Sequence, residues 1–176
     1  MQWFKSEAGI FVLKVAGIYL LWYLIYELWL LPNGTLDQWV TTNIVSVSAG
    51  ILEMLGYDFY ATGRLIGIGE SPGIYLVDGC NGISTIGLFV GFVIAYPGAW
   101  IPRIAFVFIG IGVIYLVNII RIIVLTITQI QAPEMFTVAP DYSTTAIFYV
   151  VIVLLCMMWA FFGDNTRAAG SSPEAA

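Results

Sequence analysis

The chain has no histidine, and its 176 residues include only two cysteines, Cys80 and Cys156. The first absence removes the side chain most often used as a general base, and with it every Cys/His zinc site. Two cysteines cannot build a disulfide framework. Charge is also scarce. Six Lys and Arg stand against eleven Asp and Glu, for a net charge of −5. No basic patch can form, so a nucleic-acid partner is not expected. No internal repeat is found, and no cluster of ligating residues calls for a metal or a cofactor. Apolar surface fills the chain instead: 60% of its residues are hydrophobic. A soluble domain of this length has no need for so much. The composition indicates an integral membrane protein with one domain.

The apolar runs and their punctuation give the expected architecture. It is an all-α polytopic membrane protein, with about four transmembrane helices, an outer amphipathic helix and a small outer β-hairpin. Met1 to Glu7 is a short amphipathic start. Ala8 to Leu31 reads as the first span, kept as an anchor because no cleavage pattern is seen. Trp22, Tyr23, Tyr26 and Trp29 form its interfacial aromatic belt. Thr35 and Gln38 have capping-box spacing, and Leu36 to Leu55 is too polar for a comfortable span. It is expected on the outer surface or packed against the bundle, with Gly56 closing it. Arg64 to Ile68 and Ile74 to Val77 flank a Gly/Pro-rich turn and suggest the hairpin, with Arg64 and Glu70 on its solvated face. Further spans are read over Ile83 to Tyr96, Ile104 to about Gln129, and Tyr142 or Ser143 to Phe162. The transmembrane domain is thus 1–163, with the outer segment 33–79 between the first two spans. The Gly/Ser/Ala-rich residues 164–176 are expected to form a disordered cytoplasmic tail.

Loop charges set the expected orientation. With the N-terminus inside, Lys5, Lys14, Arg103 and Arg167 lie inside, Arg103 as a topology charge in a loop. Arg64 is then the lone outer loop cation, facing Asp37, Glu53, Asp58, Glu70, Asp78, Glu134 and Asp141. The positive-inside rule selects this arrangement. It brings Cys80, Arg121 and the Asp141-Tyr142 pair to one depth at the outer face.

Cys80 sits in Asp78-Gly79-Cys80-Asn81-Gly82, where a polar segment turns into an apolar helix. A thiolate there would be favoured by the helix N-terminus, whose N–H groups could also stabilise an oxyanion. The bland alternative is a small apolar residue at a helix start. Cys156 has only apolar neighbours and reads as packing. Arg121 lies within a span, where a cation is costly and needs a partner or a role. Asn118, one turn earlier, could hold its guanidinium. Asp78 could orient Arg121 or cap the helix. Asp141 reads as a cap of the last helix, and Tyr142 as a hydrogen-bond donor.

Cys80 in Asp78-Gly79-Cys80-Asn81-Gly82-Ile83, then Asn118-Ile119-Ile120-Arg121-Ile122, then a polar pair opening the last span, resembles the exosortase/archaeosortase family. The resemblance covers residues 74–160. It implies a polytopic cysteine transpeptidase that cleaves C-terminal sorting tails of exported proteins outside a prokaryotic cytoplasmic membrane. A thioacyl intermediate would form, and the new end would pass to water or to an amine, on a lipid or glycan acceptor. The family's nucleophile maps to Cys80 and its first basic residue to Arg121, with Asn118, Asn81, Asp78, Asp141 and Tyr142 in support. The third element of the family is a histidine or arginine at the start of the last helix. Here Ala139-Pro140-Asp141-Tyr142-Ser143 holds no basic residue, and Pro140 is the closest counterpart. That departure leaves a second reading open, a non-catalytic member that binds sorting tails or scaffolds an export assembly. A channel or transporter would need more polar residues deep in the spans. Tail binding would rest on helix packing, where Gly87, Gly91, Gly110 and Gly112 permit close approach.

Overall fold

The computed structural model describes the backbone of residues 7–132 and 140–170, and their side chains except at 7–8, 140–145, 147 and 164–170. It is mostly helical, with a few short strands. Helix α1 (Glu7–Ile25) runs into a π-helical turn over Tyr26–Leu30 and a last α-turn, α2 (Leu31–Asn33). Among the described residues, two helices are long and apolar enough to cross a membrane: Gly9–Asn33 and α5 (Trp100–Gln131). Two shorter apolar stretches, α4 (Ile83–Ala95) and Phe148–Gly163 within α6 (Pro140–Gly170), pack with them. Helix α6 continues to Gly170, past the expected start of a disordered tail at residue 164. Adding residues to an existing helix needs no new nucleus, and Ala168 and Ala169 favour the extension. Residues 171–176 lie outside the described residues.

Helix α3 (Thr35–Met54) shows why a polar sequence can be a core helix. Its buried residues are Asp37, Thr41, Ile44, Val45, Ser48, Ala49 and Leu52, one face at helical spacing. The polar members of that face point inward. No side-chain capping box forms at its start. Gly34, left-handed at φ +66°, serves as the N-cap, and Gln38 N–H bonds the Gly34 carbonyl at 2.9 Å. A glycine accepts that angle without a Cβ clash, so the chain turns sharply there. The other end closes as a Schellman motif. Tyr57 N–H bonds Leu52 O at 3.1 Å and Gly56 N–H bonds Glu53 O at 2.9 Å.

Three antiparallel strands follow in the order β1 (Phe59–Thr62), β2 (Leu65–Ile68), β3 (Ile74–Tyr75). The first of these, Phe59–Thr62, was not anticipated; it pairs with β2 from Phe59↔Ile68 to Thr62↔Leu65. Ile66 and Ile68 join Leu76, Ile44, Leu52, Ile119 and Ile122 in one core. A second core gathers Phe89, Val93, Ile114, Phe148, Ile152 and Trp159 from α4, α5 and α6. Helix α5 contributes to both cores, and the seam between them lies near Gly82.

The glycines are consumed by this packing. Trp22 lies over Gly87, Ile18 against Gly91 and the Phe89 ring over Gly110. Gly112 alone of these four has open space beside it. Trp22 and Tyr26 likewise leave the expected aromatic belt. They stack at 5.7 Å, with Tyr26 buried, while Tyr23 and Trp29 remain exposed. Arg103 is no loop charge. It sits buried in α5, donates to the carbonyls of Tyr96 at 2.9 Å and Gly98 at 3.0 Å, and stacks on Trp100. Eight residues past the end of α4, it supplies donors to the C-cap carbonyl of Tyr96 and to Gly98 in the connection to α5.

A Cβ on Gly110 would stand 2.1 Å from Phe89, so Gly110→Ala should cost about 1–3 kcal/mol of stability through overpacking. Gly112→Ala should leave thermal unfolding in detergent unchanged or slightly raised. Equal losses from both substitutions would contradict this packing.

Candidate active site

Cys80 lies in a turn ahead of α4, not inside the helix, which begins at Ile83 with Gly82 as its N-cap. Gly79 and Gly82 bracket the turn at φ +83° and +82°, angles that a side chain would strain. Cys80 N–H bonds Val77 O at 3.1 Å. Its carbonyl accepts a hydrogen bond from the Asn118 amide at 3.2 Å. Its thiol is free and half-buried. The thiol's backbone is thereby held on its amide side within the turn and on its carbonyl side by α5.

Asn81 is the second anchor. Its Oδ1 accepts from Ile83 N–H at 3.1 Å, satisfying one of the donors that a helix N-terminus leaves bare. Its Nδ2 donates to Asp37 Oδ1 at 2.7 Å and approaches Thr41 Oγ1 at 3.4 Å. Asp37 is fully buried, and the same Oδ1 accepts from the Tyr26 hydroxyl at 2.9 Å. The Ser84 hydroxyl hydrogen-bonds the Tyr26 phenol in turn. The second carboxylate oxygen of Asp37, Oδ2, is buried with no hydrogen-bond partner among the described residues. Tyr26 from the π-turn, Asp37 and Thr41 from α3, and Asn81 and Ser84 around the start of α4 thus form one buried polar network.

Two expected pairings give way to others. Asn118 was read as able to hold Arg121, yet its amide goes to Cys80 and its Oδ1 has no partner among the described residues. The reason is position: Asn118 is fully buried and faces the turn, whereas Arg121 is only half-buried. Arg121 follows one turn later on α5, about 4.5 Å along the axis. Asp78 was expected to orient Arg121 or to cap α4. It forms an ion pair with Arg64 instead, two residues before the thiol. Arg64 is therefore not a freely solvated hairpin residue, and the Asp78 hydrogen bond pushes its pKa up. Asp78 is half exposed, so the pair is screened and fixes geometry more than it adds stability. Glu70 is exposed, as expected. Pro140, Asp141 and Tyr142 form the first turn of α6, and their side chains lie outside those described.

Sequence reasoning missed Tyr26, Asp37, Thr41 and Ser84. Asp37 passed for an outer-loop acid, and Tyr26 for an interfacial ring. The available signal was the inward periodicity Asp37, Thr41, Ile44, Ser48, which places an acid on an otherwise buried face.

Comparison with known proteins adds one finding. A family model described as transmembrane exosortase matches residues 2–165. No curated protein and no solved structure matches the chain.

Asp37→Ala would strip the acceptor from two buried donors, at about 1–3 kcal/mol for each donor left unsatisfied. The double-mutant cycle of Asp37→Ala with Asn81→Ala, read by thermal unfolding in detergent, should show a coupling of about 0.5–3 kcal/mol. Strict additivity would mean that the two residues act separately.

Proposed function

The chain belongs to the transmembrane exosortase family, and from that premise we propose that it is a membrane thiol transpeptidase with Cys80 as nucleophile. The observation that carries the proposal is the Asn118–Cys80 contact. A residue of the long apolar helix α5 holds the backbone of the thiol, and the same helix carries Arg121 one turn further on. A packing cysteine needs no such support.

In this reading all four apolar helices cross the membrane, and Cys80 faces the extracytoplasmic side. Helix α4 has 13 residues and is about 20 Å long, roughly 10 Å short of the hydrocarbon thickness. The Cys80 turn is then sunk below the headgroups. A scissile bond held just outside a substrate's own transmembrane segment would reach it there. The substrates are membrane-anchored exported proteins with a C-terminal sorting signal.

The chemistry follows from the charges. The Cys80 turn lies between the start of α4 and the helix that carries Arg121. The sulfur attacks the scissile carbonyl, and Arg121 stabilises the oxyanion that develops. The C–N bond breaks, the thiol proton ends on the leaving amine, and a thioacyl enzyme remains. With no histidine in the chain, water beside Arg121, or Asp141 or Tyr142 at the start of α6, relays that proton. Attack by water or by an amine on a lipid or glycan then frees Cys80.

The absence of any basic residue from positions 139–143 is the observation behind the second reading, a tail-binding member without activity. Co-expression with a tail-bearing substrate separates the two. Tail removal by the chain, abolished in Cys80→Ala and slowed about a hundredfold or more in Arg121→Ala, is the expected result for an oxyanion-stabilising cation. Cleavage only after Pro140→His or Pro140→Arg would identify a disabled enzyme. Tail capture with no cleavage in any variant would establish the binding protein.

A further inference from the structure

A cleft of about 170 Å³ opens between α1, α4 and α6, beside the network that holds the Cys80 turn. Its walls include the rings of Tyr19, Trp22, Tyr23, Tyr26 and Tyr149, and the carboxylate of Glu27. Ser84, in the first turn of α4, lies on its surface and hydrogen-bonds Tyr26. The cleft therefore shares two side chains with the Tyr26–Asp37–Asn81 network that ends next to Cys80.

Glu27 is the feature that needs explaining. It sits half-buried in an apolar helix, inside the stretch Gly9–Asn33 that can cross a membrane. No Lys or Arg among the described residues forms an ion pair with it. A carboxylate at that level is costly and calls for a cation. It also belongs to the π-helical turn Tyr26–Leu30. Such turns insert one residue and re-aim the side chains around it, and they are often found at functional sites. Here the turn buries Tyr26 toward Asp37 while Glu27 lines the cleft.

A carboxylate among aromatic faces favours a compact cation. The rings present negative faces, and the carboxylate supplies the countercharge. An anion would be repelled, and a neutral polyol would leave the charge unmatched. The volume admits a small amine or a headgroup and excludes a helix.

We propose that this cleft binds a primary ammonium group, and that the bound amine is the acceptor in the transfer. The second clause rests on the transpeptidase reading above. The ammonium first loses one proton to water. The amine nitrogen then bonds to the acyl carbon, the C–S bond breaks, and the Cys80 sulfur leaves with the electron pair. A second proton passes from nitrogen to that sulfur. The products are an amide and the free thiol. The cleft shares Tyr19 and Leu88 with an apolar groove between α1 and α4, so an amine carried on an acyl chain fits as well as a soluble one.

The test uses the full chain with Cys80→Ala, which needs no chemistry, in phosphatidylglycerol nanodiscs. n-Butylamine and glycerol are titrated against tryptophan emission, with Trp22→Phe isolating the signal from the cleft. Butylamine should saturate and glycerol should not respond. Glu27→Gln should weaken butylamine binding about tenfold, and Tyr149→Ala, which removes an exposed ring, by a smaller factor. Repeating the titration with phosphatidylethanolamine in the discs separates the sources. A loss of apparent butylamine affinity assigns the site to a lipid headgroup, and no change assigns it to a soluble amine. Equal binding in both variants, an equal response to glycerol, or no saturable response would overturn the ammonium site. Tail removal by the parent chain is scored separately. Cleavage without amine binding sinks only the cleft, whereas binding without cleavage sinks the transpeptidase reading and leaves the cation site standing.

Discussion

A buried carboxylate organises the end of the molecule that carries Cys80. Asp37 is fully enclosed, and an enclosed carboxylate is tolerated only where donors replace its water. Tyr26 and Asn81 supply them, one from the end of the first apolar helix and one from the thiol turn. Each of these donors is itself buried, so each needs Asp37 as much as Asp37 needs it. The network thereby locks three segments far apart in sequence into one arrangement. Asn118 adds a fourth, α5, through the Cys80 carbonyl. A turn with two left-handed glycines would otherwise be among the most pliable parts of the chain. Held this way, it presents the thiol in a fixed position, the preorganisation that the proposed nucleophile requires.

Packing elsewhere serves the same end. Helix α5 runs through both hydrophobic cores, one with α3 and the strands, the other with α4 and α6. The thiol turn sits at their seam, where a Cβ on Gly82 would meet Asn118, Ile114 and Phe148. Glycines that looked available to a partner helix are occupied from within by Trp22, Ile18 and Phe89. An apolar groove between α1 and α4 stays open, and beside it lies a cleft of polar and aromatic groups around Glu27. The Cys80 turn and the cleft thus gather at one end of α4, and the rest of the bundle holds that end still.

Much of this was readable in the sequence. Apolar run lengths place α1, α4, α5 and most of α6, and glycine marks the ends of α3 and the start of α4. The motif around Cys80 and the Asn118-x-x-Arg121 pair identify the family that the match over residues 2–165 shows. Partner choice was not readable. Asn118 was read as a holder of Arg121 and Asp78 as its partner or a helix cap, but in the fold Asn118 bonds Cys80 and Asp78 pairs with Arg64. The π-turn has no sequence signature, so Tyr26 looked like an interfacial residue and Glu27 drew no reading. Asp37 was counted as a loop charge because hydropathy treats an acid as exposed, whereas its helical spacing with Thr41 and Ser48 puts it inside. Phe59–Thr62 was missed because a four-residue edge strand is too short to show alternation.

The absence of histidine shifts the chemical burden onto position and charge. A thiol needs less help than a hydroxyl to act as a nucleophile, since part of it is already ionised near neutral pH. In the proposed reaction, a fixed turn and a cation on the adjacent helix take the place of the missing base. The most direct measurement is mass mapping of the protein isolated during turnover with a tail-bearing substrate. The account predicts a thioester-linked acyl fragment on the peptide containing Cys80, released by hydroxylamine. Tail removal that proceeds while every Cys80 peptide stays unmodified, with the adduct on Cys156 or nowhere, would contradict it.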